Sequence, residues 1–262
     1  MRLEAGGEAA TKQAERTMTR FWKTVHLAPA TEAEAEAGER GAGGYTVKLD
    51  KRALKTPSGA KMVIPHQRRL LASLIAQEWS EQTKTLKSHT LPLTSLAARA
   101  IDGCSDAKER QKICSDLLKY LETDTVLFYE STPTSLVRLQ AEHWDPLLAW
   151  ASERFSVPLS PFTALLGNAH DPKVLPTFAS LLDNLDPFEL AAFERAVLTT
   201  KSFLIPVALL SGRLSVEEAA QAAEVEVRSQ IERWGEVEDS HDVDTADLRR
   251  VLGSVAAAVV KE

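Results

Sequence analysis

The sequence predicts an α+β protein: a small N-terminal antiparallel sheet with helices, followed by a mainly helical C-terminal domain. Three observations lead there. Apolar and polar residues alternate over 45–50, as they do on a half-buried strand. The turn Thr56-Pro57-Ser58-Gly59 separates that stretch from a second strand-like run at 61–64; its proline presets one dihedral and its glycine accepts a positive φ. Beyond Asp106, apolar residues recur mostly at steps of three and four, the period of an amphipathic helix.

In chain order, residues 1–19 are polar, offer no core and are expected to be disordered. A first strand is expected over 20–27, with Phe21, Trp22 and Val25 available for burial. Residues 28–44 are rich in Ala, Glu and Gly, and read as a flexible loop or insertion, with little apolar area to offset the entropy of ordering. After the strand pair, Pro65 is placed to open a helix, where its missing N–H costs nothing. Leu70, Leu71, Leu74, Ile75 and Trp79 form its stripe, with Trp79 expected as structural support. A short helix around Leu93, Leu96, Ala97, Ala100 and Ile101 should stop at Gly103. Asp106 and Glu109 announce the next, through Ile113, Leu117 and Leu121. Thr123-Asp124-Thr125 is expected to cap that helix and begin a short β-like run over 125–129.

Asp145-Pro146, Asp171-Pro172 and Asp186-Pro187 each place aspartate at an N-cap and proline at the first helical position. Pro206 should kink the last of these helices, over 188–210. Ser215 and Glu218 have capping-box spacing. They open an amphipathic helix whose Ala220, Ala223, Val227, Ile231 and Trp234 are expected on one buried face, with Gly235 as a left-handed C-cap. An acidic turn follows over 236–242, and a final helix over 245–260. The composition shifts near 103–130, which divides the chain into a disordered segment 1–19, an α+β domain 20–125 and a helical domain 126–262.

With 262 residues, 44% hydrophobic and 26% charged, the composition is that of a globular protein. A net charge of −6 argues against a general nucleic-acid binder, which needs cations to displace phosphate counterions. Two cysteines, Cys104 and Cys114, fit neither a zinc nor a disulfide framework. The apolar tail 251–260 is far shorter than the roughly 20 residues a membrane helix needs, so no membrane insertion is expected. No phosphate loop, dinucleotide fingerprint, zinc helix or nucleophile elbow is present. No catalytic residue, cofactor or metal site is therefore assigned. The alternative is a metal-dependent hydrolase on the turn from Glu236 to Asp242, where Glu238, Asp239, His241 and Asp242 are ligand types for a divalent cation.

Arg20-Phe21-Trp22, Leu54-Lys55-Thr56-Pro57, Glu78-Trp79, Leu91-Pro92-Leu93-Thr94, Thr123-Asp124-Thr125, Trp144-Asp145-Pro146 and Gln230 through Trp234-Gly235, then Glu238 and His241-Asp242, occur in this order. As an ordered set, spanning about residue 20 to near the C-terminus, they resemble the assembly chaperones of mitochondrial ATP synthase that attend the alpha subunit of its F(1) sector. The resemblance implies an N-terminal α+β domain and a C-terminal helical domain. It implies a non-enzymatic chaperone that shields the beta-facing surface of unassembled alpha subunit until exchange. It implies the mitochondrial matrix, or the cytoplasm of related bacteria. On that basis Glu224, Glu226, Glu238 and Asp239 are expected to face basic groups of the client, with Trp234 and Gly235 positioning them, and the chain is expected to act as a monomer.

Overall fold

The computed structural model describes residues 19–31, 43–162, 169–237 and 241–262. Residues 1–18 of the expected disordered segment and the centre of the expected 28–44 loop lie outside them, while Thr19 is ordered by a bridge to Thr85. The chain forms two compact units, one containing residues up to Asp102 together with Val260–Glu262, the other Gly103–Val259.

The first unit is built on a four-stranded antiparallel sheet. β1 (Val25–Pro29) pairs with β2 (Gly44–Leu49) in the register His26 to Lys48 and Ala28 to Thr46. β2 also pairs with β3 (Arg52–Ala53) and β4 (Val63–Pro65). The first strand thus starts later than expected. Ahead of it, residues 20–24 are held by polar contacts instead: the Asp50 carboxylate accepts from the Lys23 and Thr24 amides at 3.0 and 2.8 Å. Asp50 itself takes φ +54 at the β2–β3 corner, a conformation that aspartate tolerates. Gly59, at φ +90, supplies the positive dihedral the 56–59 turn requires.

α1 (Arg69–Ser80) follows a 3-10 turn at His66–Arg68, so Pro65 ends a strand instead of opening the α-helix. Leu71 and Ile75 are fully buried against the sheet with Val47 and Ile64, while Leu70 faces outward. α2 (Pro92–Arg99) passes into a π turn at Ala100–Cys104, so the helix runs through Gly103 and does not stop there. Its N-terminus has no side-chain cap of its own. Glu78 of α1 supplies one, accepting from the Leu93 amide at 2.7 Å, the Thr94 amide at 2.9 Å and the Thr94 hydroxyl at 2.7 Å.

The second unit is helical: α3 (Ala107–Glu122), α4 (Thr134–His143), α5 (Asp145–Phe155), α6 (Val174–Asn184), α7 (Pro187–Thr200), α8 (Leu204–Leu210), α9 (Val216–Ala223), α10 (Val225–Trp234) and α11 (His241–Ala258). Asp106 caps α3 as expected, accepting from the amides of Lys108 and Glu109. The three Asp-Pro pairs diverge. Asp186 makes a complete capping box with Glu189. Asp145 instead accepts the Tyr129 hydroxyl at 2.7 Å, and Asp171-Pro172 forms a turn ahead of Val174. The break between α7 and α8 falls at Lys201, which is left-handed at φ 58, and not at Pro206. Pro206 lies in the first turn of α8, where no intrahelical N–H bond is lost.

Asp124 explains that break. It lies fully buried, with one oxygen accepting from the Val126 amide at 3.1 Å and the other from the Phe203 and Leu204 amides, both at 2.8 Å. It caps the start of α8 from 79 residues away, and the expected strand over 125–129 is a 3-10 turn at Thr125–Leu127. Phe178, Phe193 and Phe203 meet edge-on around this point and form the centre of the core. Trp144 is buried too, its indole N–H donating to the Ala222 carbonyl at 2.8 Å.

Candidate functional site

The single helix expected over 215–234 is two. The capping box of Ser215 and Glu218 opens α9 as expected. At Glu224 the backbone leaves helical geometry (φ −95, ψ 8), and α10 begins anew. A clamp holds this corner. The Arg249 guanidinium from α11 grips Glu217 with two bonds of 2.8 Å and reaches both Glu224 oxygens at 3.2 and 3.3 Å. The Thr245 hydroxyl donates to Glu224 at 2.8 Å. A planar guanidinium suits this two-carboxylate task, which a lysine could not match. Glu224 is only 8% exposed. Its carboxylate is engaged inside the unit, so it organises the corner between α9 and α10 and has little left to offer a partner.

The Arg249 hydrogen bonds, with one from Gln221, hold the Glu217 carboxyl down to about 2. A carboxyl lowered in the folded state stabilises that state above its unfolded value, about 4.5, and this contribution is lost as the pH falls toward 2. Carbon-13 titration of the Glu217 side chain should show this low midpoint. In Arg249→Gln the midpoint should move back toward 4.5.

α10 buries Val225 and Ser229, and is pinned to α4 by a Ser135–Ser229 hydroxyl contact of 2.8 Å and an Arg138–Glu232 ion pair of 2.6 Å. This sets which way the rest of the helix faces. Of the residues expected in the core, Val227 is 39% and Trp234 70% exposed, and Ile231 is half-buried. Val227 and Gln230 form one wall of a cleft of about 470 Å³, with Asp244, Asp247 and Leu248 of α11 opposite and Glu224 also lining it. A stripe of apolar residues on a helix does not distinguish an internal core from a surface left for another molecule.

Lys201 and His241 also line the cleft, and Asp244 in its lining is exposed. Glu226 of α10, Glu236 and Val237 after it, and Asp242 and Val243 of α11 are exposed too. Arg233 lies over the Trp234 ring at 5.0 Å. Gly235 has a positive φ of 89 but a ψ of 162, so it turns the chain through the extended mirror region and not through a left-handed cap. Few residues other than glycine take that conformation without strain. Glu238 and Asp239 lie outside the described residues.

Trp79, in the first unit, is half-buried. Its indole N–H donates to the Thr94 hydroxyl at 3.0 Å, and its ring meets Trp22 at 5.1 Å. It joins α1 to α2 and to the segment before β1. Sequence reasoning missed Arg249 and Thr245 at the second-unit site. Each completes a contact more than 20 residues away, and neither carries a local pattern that marks it.

Among the described residues no group of three or more His, Cys, Asp or Glu is placed to hold a metal ion. No described helix is long and apolar enough to cross a membrane. What the second-unit site offers is an open cleft with Ala223, Val227 and Leu248 among polar groups, in which carboxylates outnumber the one lysine, a form suited to contact with a basic, partly apolar protein surface.

A family model described as ATP12 chaperone protein matches residues 19–152. The chain is 34% identical to the mitochondrial protein atp12 of Schizosaccharomyces pombe, covering 95% of this chain and 84% of that one. It is 32% identical to the mitochondrial protein ATP12 of Saccharomyces cerevisiae, covering 99% and 89%. Among solved structures, Atp12 from Paracoccus denitrificans superposes with a TM-score of 0.78 at 28% identity, covering 92% of this chain and 97% of the other.

Proposed function

Because this chain belongs to the ATP12 chaperone family, whose members serve ATP synthase assembly, we propose that it binds the unassembled alpha subunit of the F(1) sector and covers the face that later meets a beta subunit. It turns over no substrate. It acts as a monomer in the mitochondrial matrix, or in the cytoplasm of a bacterial source. Its relatives' mitochondrial names support the first location.

The observation that carries the reading is the exposed surface of α10, where Val227 lines an open cleft and Glu226 and Trp234 of the same helix are exposed. An isolated subunit exposes apolar surface that aggregates unless it is covered. Its cover must also come off when the permanent partner arrives. Carboxylates suit that duty, because charged rims steer encounter and set specificity without forcing very high affinity. In this reading Glu226 meets a cation of the client directly, with Glu238 and Asp239 adding to the same field. Glu224 acts through the clamp that sets the angle of α10. Trp234 takes a more direct part than positioning, because its ring is largely open to a partner.

The test is a pull-down from mitochondrial extract, with alpha subunit enriched over beta. Glu226→Lys should abolish capture. Glu226 is exposed, so the same change should leave stability within about 0.5 kcal/mol of the parent. Capture of beta and not alpha, or loss of capture matched by a fall in thermal midpoint, would refute the assignment.

A further inference from the structure

The first unit holds a second concavity, larger than the acidic cleft and opposite in charge. It measures about 620 Å³, within the range of pockets that take a defined ligand. Its apolar lining includes Phe21, Trp22, Leu54, Trp79 and Leu86. Phe21 is 63% exposed and packs edge-on against Trp22 at 5.1 Å. The Trp22 ring in turn meets that of Trp79 at 5.1 Å. Three aromatic side chains thus stand in file along one wall. The outermost is left facing solvent.

The polar part of the lining is equally one-sided. Arg52, Lys55 and Lys61 contribute to it, and no carboxylate does among the described residues. In a chain with a net charge of −6 that is a local reversal of sign. Lys55 and Lys61 sit directly opposite each other across an antiparallel bridge, where like charges raise the cost of pairing. The backbone of this rim is firmly built, with the Leu54 amide bonded to Val47 at 2.9 Å and the Met62 amide to Leu54 at 3.0 Å. Arg20 cannot share in binding an anion, because its guanidinium is spent on the carbonyls of Trp22, Lys23, Ser80 and Gln82.

We propose that this cleft seats an extended stretch of the client polypeptide, with one or more apolar side chains entering beside Phe21, Trp22 and Trp79 and flanking carboxylates meeting Arg52 and Lys55. This rests on the reading that the molecule holds an unassembled subunit, and it gives that subunit a second point of attachment of opposite polarity to the first. Each can stay weak enough to be exchanged.

The experiment uses the full chain and fluorescent fifteen-residue peptides tiled across the alpha, beta and gamma subunits of F(1), read by polarisation, with capture of intact alpha subunit run in parallel. Peptides with apolar residues flanked by Asp or Glu should bind. The pair Arg52→Glu and Lys55→Glu, both exposed, should weaken them about tenfold or more at an unchanged thermal midpoint. Phe21→Ser should do the same. Peptide binding that is lost in these variants supports the cleft even if intact alpha subunit is not captured, which would sink only the choice of client. No peptide binding, binding that ignores the variants, or equal binding of Lys- and Arg-flanked peptides overturns the cleft proposal, whether or not intact alpha subunit is captured.

Discussion

Asp124→Ala is expected to lower the stability of the second unit by more than about 3 kcal/mol, because each buried donor left without a partner costs about 1–3 kcal/mol. Three amides lose their acceptor together: Val126, Phe203 and Leu204. No water replaces the carboxylate easily, since the group is fully buried beside Phe203 and Leu204. Burial pushes the Asp124 carboxyl up to about 6, while its hydrogen bonds with Ser202 and these amides pull it back. These donors favour its charged form. Asp124→Asn should be intermediate. Its oxygen can still serve Phe203 and Leu204, but its amide nitrogen would face the Val126 N–H. Urea unfolding should show the midpoint falling in the order parent, Asn, Ala with little change in slope, as for a loss of stability without a change in the area exposed. Equal midpoints for parent and Ala would show that the α8 N-terminus finds other acceptors.

Glu78→Ala is expected to cost about 2 kcal/mol in the first unit, at the upper end for loss of a helix cap. The carboxylate serves two amides and a hydroxyl at the start of α2. The same hydroxyl accepts the Trp79 indole N–H, so removing Glu78 frees Thr94 to turn and loosens the tryptophan as well. Glu78→Gln keeps one acceptor and should cost less. Thr94→Val, which deletes the shared hydroxyl, should lose part of the same energy. Combining it with Glu78→Ala should therefore cost less than the sum of the two single changes. Strict additivity in that cycle would show that the contacts do not act together.

These two carboxylates mark where the sequence was readable and where it was not. Both stand in the short motifs that carried the resemblance, Glu78-Trp79 and Thr123-Asp124-Thr125, yet neither role was visible locally. Asp124 looked like a cap for its own neighbourhood because capping rules act over three or four residues, whereas its main partners lie 79 and 80 residues on. The same range limit explains α9 and α10. Their periodicity is continuous through Glu224, and the partners that meet Glu224 where the chain turns, Thr245 and Arg249, lie 21 and 25 residues away. What local chemistry dictates came through: the β2 alternation, the 56–59 turn, the Asp106 and Asp186 caps and the capping box at Ser215. At the acidic site, the sequence revealed charge and an apolar stripe on one helix. It did not reveal that the stripe faces outward, because that depends on which side α4 occupies.

The shortness of α10 has a consequence of its own. Ten residues make a helix too brief to persist in water, where about 12–15 are needed even for favourable sequences. The spacing of Val227, Gln230 and Trp234 therefore exists only while Arg138, Ser135 and the Arg249 clamp hold the segment in place. A molecule that has begun to melt therefore presents no ordered surface there, and under the proposed reading it would lose its hold on a client before it unfolds completely.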